Sequence, residues 1–378
     1  MNRQELIASI SLAGILFVRL FSIFVLLPIF SLYATELKGA TPFLVGFAFG
    51  GYALTQFLFQ IPFGWLSDIY SRKIMLILGL LLFASGAFIS AYSSSISWMI
   101  IGRFLQGAGA ISAVVYATIG DLIRPQFQIR AIALIGIGAG LAFLLAFSLS
   151  PFLAIWLGLS GIFSTLGVLS LGLALVVFFS PIFTLQQKAK ASLKLDLFFK
   201  RELVLPLSLF LAINFALSVF MFQLPLQIVA SGVAKASLWK FYIPLLSLSL
   251  ISIYLASYLA EKAKKLKLVL FMATSLMLIG ASSALGLNQS PSYLIIGCFI
   301  YFIGFSALEP ILPALTLRAA ATDSRGISSS LLTTTQFAGN FLGALSAGYF
   351  YQRLSLSPFI IIIIGSLLLI RLILKQDK

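Results

Sequence analysis

The sequence predicts an all-α polytopic membrane protein: twelve transmembrane helices in two pseudo-symmetric six-helix bundles. Three observations predict it. Apolar runs recur from end to end in a chain that is 61% hydrophobic and 9% charged, with a mean hydropathy of +1.10. A bilayer-crossing helix needs about 20 such residues, and soluble domains carry about 25% charged residues. The basic residues gather in alternate loops. Features of the first half return in the second about 195 residues later.

The runs place spans at 8–33, 43–66, 73–93, 97–122, 128–153, 158–183, 203–231, 236–260, 266–288, 291–318, 326–352 and 356–374. Helices are the choice because a bilayer solvates no free backbone group, and the runs are too long and too uniformly apolar for barrel strands. The first run exceeds a cleavable signal in length and carries Arg19, so it reads as a retained span.

With both termini in the cytoplasm, 19 Lys and Arg fall in inside segments and 4 in outside ones, leaving Arg19 and Arg103 within spans. That split obeys the positive-inside rule, and one missed helix would invert every later loop. The termini and the Lys- and Arg-rich loops are therefore expected on the cytoplasmic side of the membrane. The longest loop, Lys-rich and inside, covers 184–202 and separates an N-terminal bundle, 1–183, from a C-terminal one, 203–378. The halves echo each other: Arg130-Ala131-Ile132 against Arg325-Gly326-Ile327, Leu27-Pro28 against Leu224-Pro225, Asp68 against Glu261. Parallel six-helix repeats of this kind hold a substrate site near the membrane midplane.

The net charge of +15 comes from residues spread through short loops, which argues against a nucleic-acid partner. The chain has no His and one Cys, Cys298. The commonest general base and metal ligand is therefore missing. No metal or cofactor is expected, and no paired carboxylates at depth or phosphate loop suggest an enzyme.

Chemistry concentrates at a short hinge between spans two and three, Gly64-Trp65-Leu66-Ser67-Asp68-Ile69-Tyr70-Ser71-Arg72-Lys73. Its plain reading is that Arg72 and Lys73 satisfy the positive-inside rule. It also resembles the signature loop of the major facilitator superfamily, G-x-L-x-D-R-x-G-R-K, matched at Gly64, Leu66, Asp68, Arg72 and Lys73 and departing at Ile69 and Ser71. The resemblance implies the fold of that superfamily and a charge cluster that latches the protein in one conformation. Here the latch would comprise Gly64, Asp68, Arg72 and Asp121, with Gly64 allowing close backbone approach. In span four, Arg103-Phe104-Leu105-Gln106-Gly107-Ala108-Gly109 resembles a second family signature, R-x-x-Q-G-x-G, which casts Arg103 and Gln106 as coupling or structural groups and Gly107 as a packing position. Span five carries Gly136, Gly138 and Gly140 and later Ser150-Pro151, a degenerate form of the family's antiporter motif. Gly136 and Gly140 are accordingly expected at a helix seam.

Arg19 lies about 16 Å along span one at 1.5 Å per residue, too deep to snorkel easily. It is expected to face a cavity or to pair with an acid. The acid at comparable depth is Glu309, in Glu309-Pro310-Ile311-Leu312-Pro313, where two prolines are expected to interrupt span ten. Glu309 is either Arg19's partner or a proton-carrying carboxylate. Gln56, Gln60, Asn214, Gln336 and Asn340, with Gln223, Tyr52, Tyr116 and Tyr301, are further polar groups at depth, each equally suited to a plain interhelical hydrogen bond.

Residues Arg19-Leu20-Phe21, Leu27-Pro28, Thr55-Gln56, Gln60 to Gly64 and Arg103 to Gly109 are similar to those of the bacterial YajR-like group within that superfamily. The resemblance implies drug:proton antiport in a bacterial cytoplasmic (inner) membrane: a secondary active transporter working by alternating access, with a small-molecule substrate, protons and the lipid bilayer as partners. Twelve spans with their own pseudo-symmetry suffice for a monomer. Transport of a particular metabolite, or a non-transporting receptor on the same fold, are the other readings.

Overall fold

The structure is a computed structural model, and it describes residues 1–180, 201–261, 265–285, 291–319 and 325–351. The expected twelfth span and nearly all of the expected 184–202 linker lie outside the described residues. Twelve α-helices and a short 3-10 turn make up the described secondary structure. Nine segments among the described residues are long and apolar enough to cross a membrane, one of them of double length.

Contacts sort the chain into two units: 1–41 with 51–193, and 42–50 with 194–378. In the first unit, α1 (Arg3–Leu26) starts five residues earlier than the apolar run suggests. Asn2 and Glu5 form a reciprocal capping box, with bonds of 2.7 and 2.8 Å, that closes its first turn. Glu5 is also held by Arg124, Nε to Oε1 at 2.8 Å. Leu27-Pro28 ends α1, and the expected first span finishes as a separate turn, α2 (Phe30–Ala34). α3 (Pro42–Ile69) and α4 (Arg72–Ala91) match spans two and three.

Span four is not one helix. α5 (Ile96–Ala108) and α6 (Ser112–Leu122) are separated at Gly109-Ala110-Ile111. There the Ala110 and Ile111 amides bond two residues back, to Ala108 and Gly109, each at 2.8 Å. These tight turns break the i to i−4 ladder. Spans five and six form one continuous run, α7 (Pro125–Phe179), broken at Gly158, whose φ of 62° lies in the left-handed region. The two arms run in opposite directions. Ser150 Oγ bonds the Val25 carbonyl at 2.7 Å and Gly138 faces Ala13, so the first arm runs parallel to α1. Ser160 and Ser170 bond the carbonyls of Ala91 and Leu80, and Lys73 bonds that of Ser180, so the second arm runs antiparallel to α4. Leu12, Leu16, Leu76, Leu80, Ile111 and Val115 are among the residues filling the core between these helices.

The second unit holds α8 (Arg201–Ala230), α9 (Trp239–Glu261), α10 (Leu266–Leu285), α11 (Pro291–Ala319) and α12 (Arg325–Phe350). The expected interruption of span ten is absent: α11 runs unbroken through Pro310 and Pro313. Each proline only deletes one amide donor, leaving the carbonyls of Ser306 and Glu309 without their usual i+4 partner, and helices inside a bilayer tolerate this.

Small residues set the closest helix contacts, and they repeat. A Cβ on Gly86 would sit 2.4 Å from the Gly102 carbonyl and 2.6 Å from the Gln106 amide, and one on Gly109 2.2 Å from the Gly79 carbonyl. In the second unit a Cβ on Gly280 would sit 2.6 Å from the Gly297 carbonyl and 2.2 Å from the Tyr301 amide, and one on Gly304 2.4 Å from the Ala273 carbonyl. Each first-unit residue lies 194 or 195 positions before its counterpart. The α4–α5 seam is thus built a second time as α10–α11. Van der Waals packing of this kind carries helix association where lipid removes any hydrophobic drive between helices.

Candidate functional site

Two polar clusters stand out in the first unit, one at membrane depth and one at a helix end. The deep cluster begins with Arg19, which is 2% exposed. Its Nη1 donates to the Gln106 carbonyl at 3.1 Å and its Nη2 to Gln56 Oε1 at 2.8 Å. Gln56 Nε2 passes the chain on to Gln60 Oε1 at 2.8 Å. Arg103 is 5% exposed. Its Nη1 donates to Gln106 Oε1 at 2.8 Å, one helical turn along α5. Tyr52 lies within cation–π range of both guanidinium groups, at 5.4 Å from Arg19 and 5.2 Å from Arg103. Phe83 flanks Arg19 at 4.9 Å and Phe30 flanks Arg103 at 5.5 Å.

Local geometry explains the assembly. Gln56 and Gln60 are one helical turn apart on α3, and Arg103 and Gln106 are one turn apart on α5. Gly107 lets α3 come close: a Cβ there would sit 2.1 Å from the Tyr52 carbonyl. The break after Ala108 removes the Gln106 carbonyl from the regular ladder, since Ala110 bonds Ala108 instead. Arg19 takes up that carbonyl, so its described partners are the Gln56 amide, a backbone oxygen, the Tyr52 side chain and the Phe83 ring rather than the expected acid.

The second cluster is the hinge. Arg72 pairs with Asp68 one turn back and, through Nε, with Asp121 Oδ2 at 2.9 Å. Its Nη1 donates to Ser67 Oγ, which in turn donates to the Gly64 carbonyl at 2.6 Å. The structure therefore brings Asp68, Arg72 and Asp121 together. Gly64 is not a close-approach point, since a Cβ there would meet Ala113 at an ordinary 3.4 Å.

Two expected packing positions need correction. Gly136 and Gly140 have nothing within 4 Å of where a Cβ would sit. They share one helix face, while Gly138 lies two residues round on the other side, and it is Gly138 that turns to Ala13. The expected groups of the second unit lie on α8, α11 and α12. Asn214 bonds its own helix, Nδ2 to the Phe210 carbonyl at 2.8 Å. Asn340 Oδ1 accepts from Ser218 at 3.1 Å, an α8–α12 cross-link. Gln336 lies half-buried on α12, and Glu309 is exposed on α11. Tyr301 is buried and stacked on Phe220 at 4.2 Å. Phe30 and Phe83 were not legible as site residues because nothing separates them from the other Phe in the sequence. The Glu5–Arg124 pair left one trace, the Asn2–Glu5 capping spacing.

Comparisons agree with this architecture. The Major Facilitator Superfamily profile matches residues 12–344. The inner membrane transport protein YajR of Escherichia coli K12 is 32% identical over 358 residues, covering 92% of this chain and 78% of that protein. An uncharacterized transporter of Buchnera aphidicola from Acyrthosiphon pisum is 34% identical over 351 residues, covering 91% and 90%. Among solved structures, a bacterial homologue of the human lysosomal transporter Spinster superposes with a TM-score of 0.76 at 17% identity, over 93% of this chain and 83% of that one. A D-xylose–proton symporter superposes with a TM-score of 0.73 at 15% identity, over 97% and 96%. A profile match over most of the chain, long relatives above 30% identity and a shared helical fold together place this multi-pass membrane transporter in the Major Facilitator Superfamily.

Proposed function

We propose that the protein is a secondary active transporter of the bacterial inner membrane that exports a small amphipathic organic compound in exchange for protons. It works as a monomer by alternating access, with both termini in the cytoplasm. The observation that carries the reading is the deep cluster in the first unit: two buried arginines held by Gln56, Gln60, Gln106 and aromatic faces. Charged groups at that depth are expensive to keep and characteristically serve a translocation pathway. Similarity to the inner membrane transport protein YajR supports the transporter reading and the inner-membrane location. Glu309 supports proton coupling, being a carboxylate within an apolar span. Asp68, Arg72 and Asp121 act as the latch that holds one conformation and releases it during the cycle.

The test is reconstitution of the purified chain into liposomes with an imposed pH gradient and a panel of lipophilic cations, organic anions, sugars and amino acids. Gradient-driven flux of an amphipathic class, opposite in direction to the protons, is expected. Flux confined to one sugar or amino acid would replace export with dedicated metabolite transport. No flux of any class would refute the transport proposal.

A further inference from the structure

The deep cluster has more donors than acceptors. Arg19 Nε, Arg103 Nε and Gln106 Nε2 are all buried and all lack a hydrogen-bond partner. Each is an N–H donor; the other buried groups without a partner among the described residues are the hydroxyls of Ser31, Ser90 and Tyr301, which can donate as well as accept. Gln56 Oε1, Gln60 Oε1, Gln106 Oε1 and the Gln106 carbonyl are each already engaged. The described ion pairs of the first unit use Asp68, Asp121 and Glu5, none of which pairs with Arg19 or Arg103.

A polar network that is purely structural normally satisfies its buried groups, and each orphan costs free energy. A buried charge is usually paired. Here two guanidinium groups share neutral amides, the neutral Tyr52 hydroxyl and ring faces, which soften their charge without cancelling it. What would complete the set is a group with several acceptor oxygens and negative charge, because guanidinium is donor-only and matches carboxylate or phosphate in geometry.

We infer that the Arg19–Arg103–Gln106 cluster is the recognition site for an anionic head group, a carboxylate or phosphate monoester, on an otherwise apolar compound. The inference rests on the transport reading for its biological meaning but concerns binding alone. Tyr52, Phe83 and Phe30, already stacked on the two guanidinium groups, supply the apolar surround.

The test uses the purified full-length chain in nanodiscs and four probes with one ring system: 2-naphthoate, 2-naphthyl phosphate, 2-naphthylmethanol and 2-naphthylmethylammonium. Titration calorimetry reads affinity. The two anions are expected to bind and compete with each other, and the neutral and cationic probes to bind at least about tenfold more weakly, the discrimination one charge-assisted bond provides. Arg19→Gln and Arg103→Gln should each cut anion affinity about tenfold or more. Arg103→Lys, which keeps the charge, guards against a folding defect and should lose less than Arg103→Gln. Equal or tighter binding of the ammonium probe, or anion binding unchanged in both glutamine variants, would overturn the inference. Anion binding without proton-driven flux would sink the coupling proposal and leave this one standing; flux of cations alone would do the reverse.

Discussion

Arg72 Nε lies 2.9 Å from Asp121 Oδ2, although the two residues are 49 positions apart and on different helices. Arg72 also holds Asp68, so one guanidinium bridges the end of α3 and the end of α6. Both side chains of the Arg72–Asp121 pair are partly exposed, at 13% and 26%. Exposed pairs contribute about 1 kcal/mol or less. Asp121→Asn should therefore lower thermal stability only slightly while reducing flux severalfold, as should Asp68→Asn. Melting curves and liposome flux on the same preparations check this, and a variant with normal flux would reduce the cluster to positive-inside charge.

Glu309→Gln should abolish flux driven by a pH gradient while leaving substrate exchange at equal pH on both sides. The amide keeps the shape of the side chain and removes its ability to carry a proton. Counterflow measured beside gradient-driven uptake separates the two. Undiminished gradient-driven flux would dismiss Glu309 as the carrier.

Gly86→Ala and Gly280→Ala should each destabilise by about 1–3 kcal/mol, the cost of forcing an extra carbon into a packed seam. In both, the new Cβ would overlap backbone atoms rather than a movable side chain. Gly136→Ala should instead be neutral or stabilise by up to about 1 kcal/mol, since the position is open and alanine is the better helix former. Thermal unfolding of the three single variants checks the contrast.

Gly158→Ala should destabilise by about 1–3 kcal/mol for a different reason. No atom lies within 4 Å of the new Cβ, but the φ of 62° suits glycine alone at this ψ of −179°. Gly140→Ala, which is helical and equally open, is the control.

The sequence made the spans legible because apolar run length answers directly to membrane thickness, and α3, α4, α8 and α12 begin and end within a few residues of expectation. It made the hinge cluster legible because Asp68 and Arg72 are one turn apart and fall in a recognisable loop. It was silent on the break at Gly109 because Ala110 and Ile111 keep the run apolar, and hydropathy does not register a lost hydrogen bond. Depth alone showed that Arg19 is unusual. Its partners lie 37 and 87 residues away, and no local pattern links them. The prolines of α11 misled because the rule that proline ends a helix holds in water, where the freed carbonyl and the alternative turn are both solvated. Gly136 and Gly140 misled because a spacing of four shows which residues share a face but not which way that face points.

The twofold α4–α5 and α10–α11 seam has a consequence for any mutational survey. Intolerance to bulk should appear as a duet, with 86 answered at 280, 102 at 297 and 109 at 304, so that each half serves as an internal control for the other. At the same interval, Arg19 is answered by Asn214, Arg103 by Cys298 and Gln106 by Tyr301. Where the scaffold rhymes but the side chains do not, the two copies of one blueprint have been given unlike jobs.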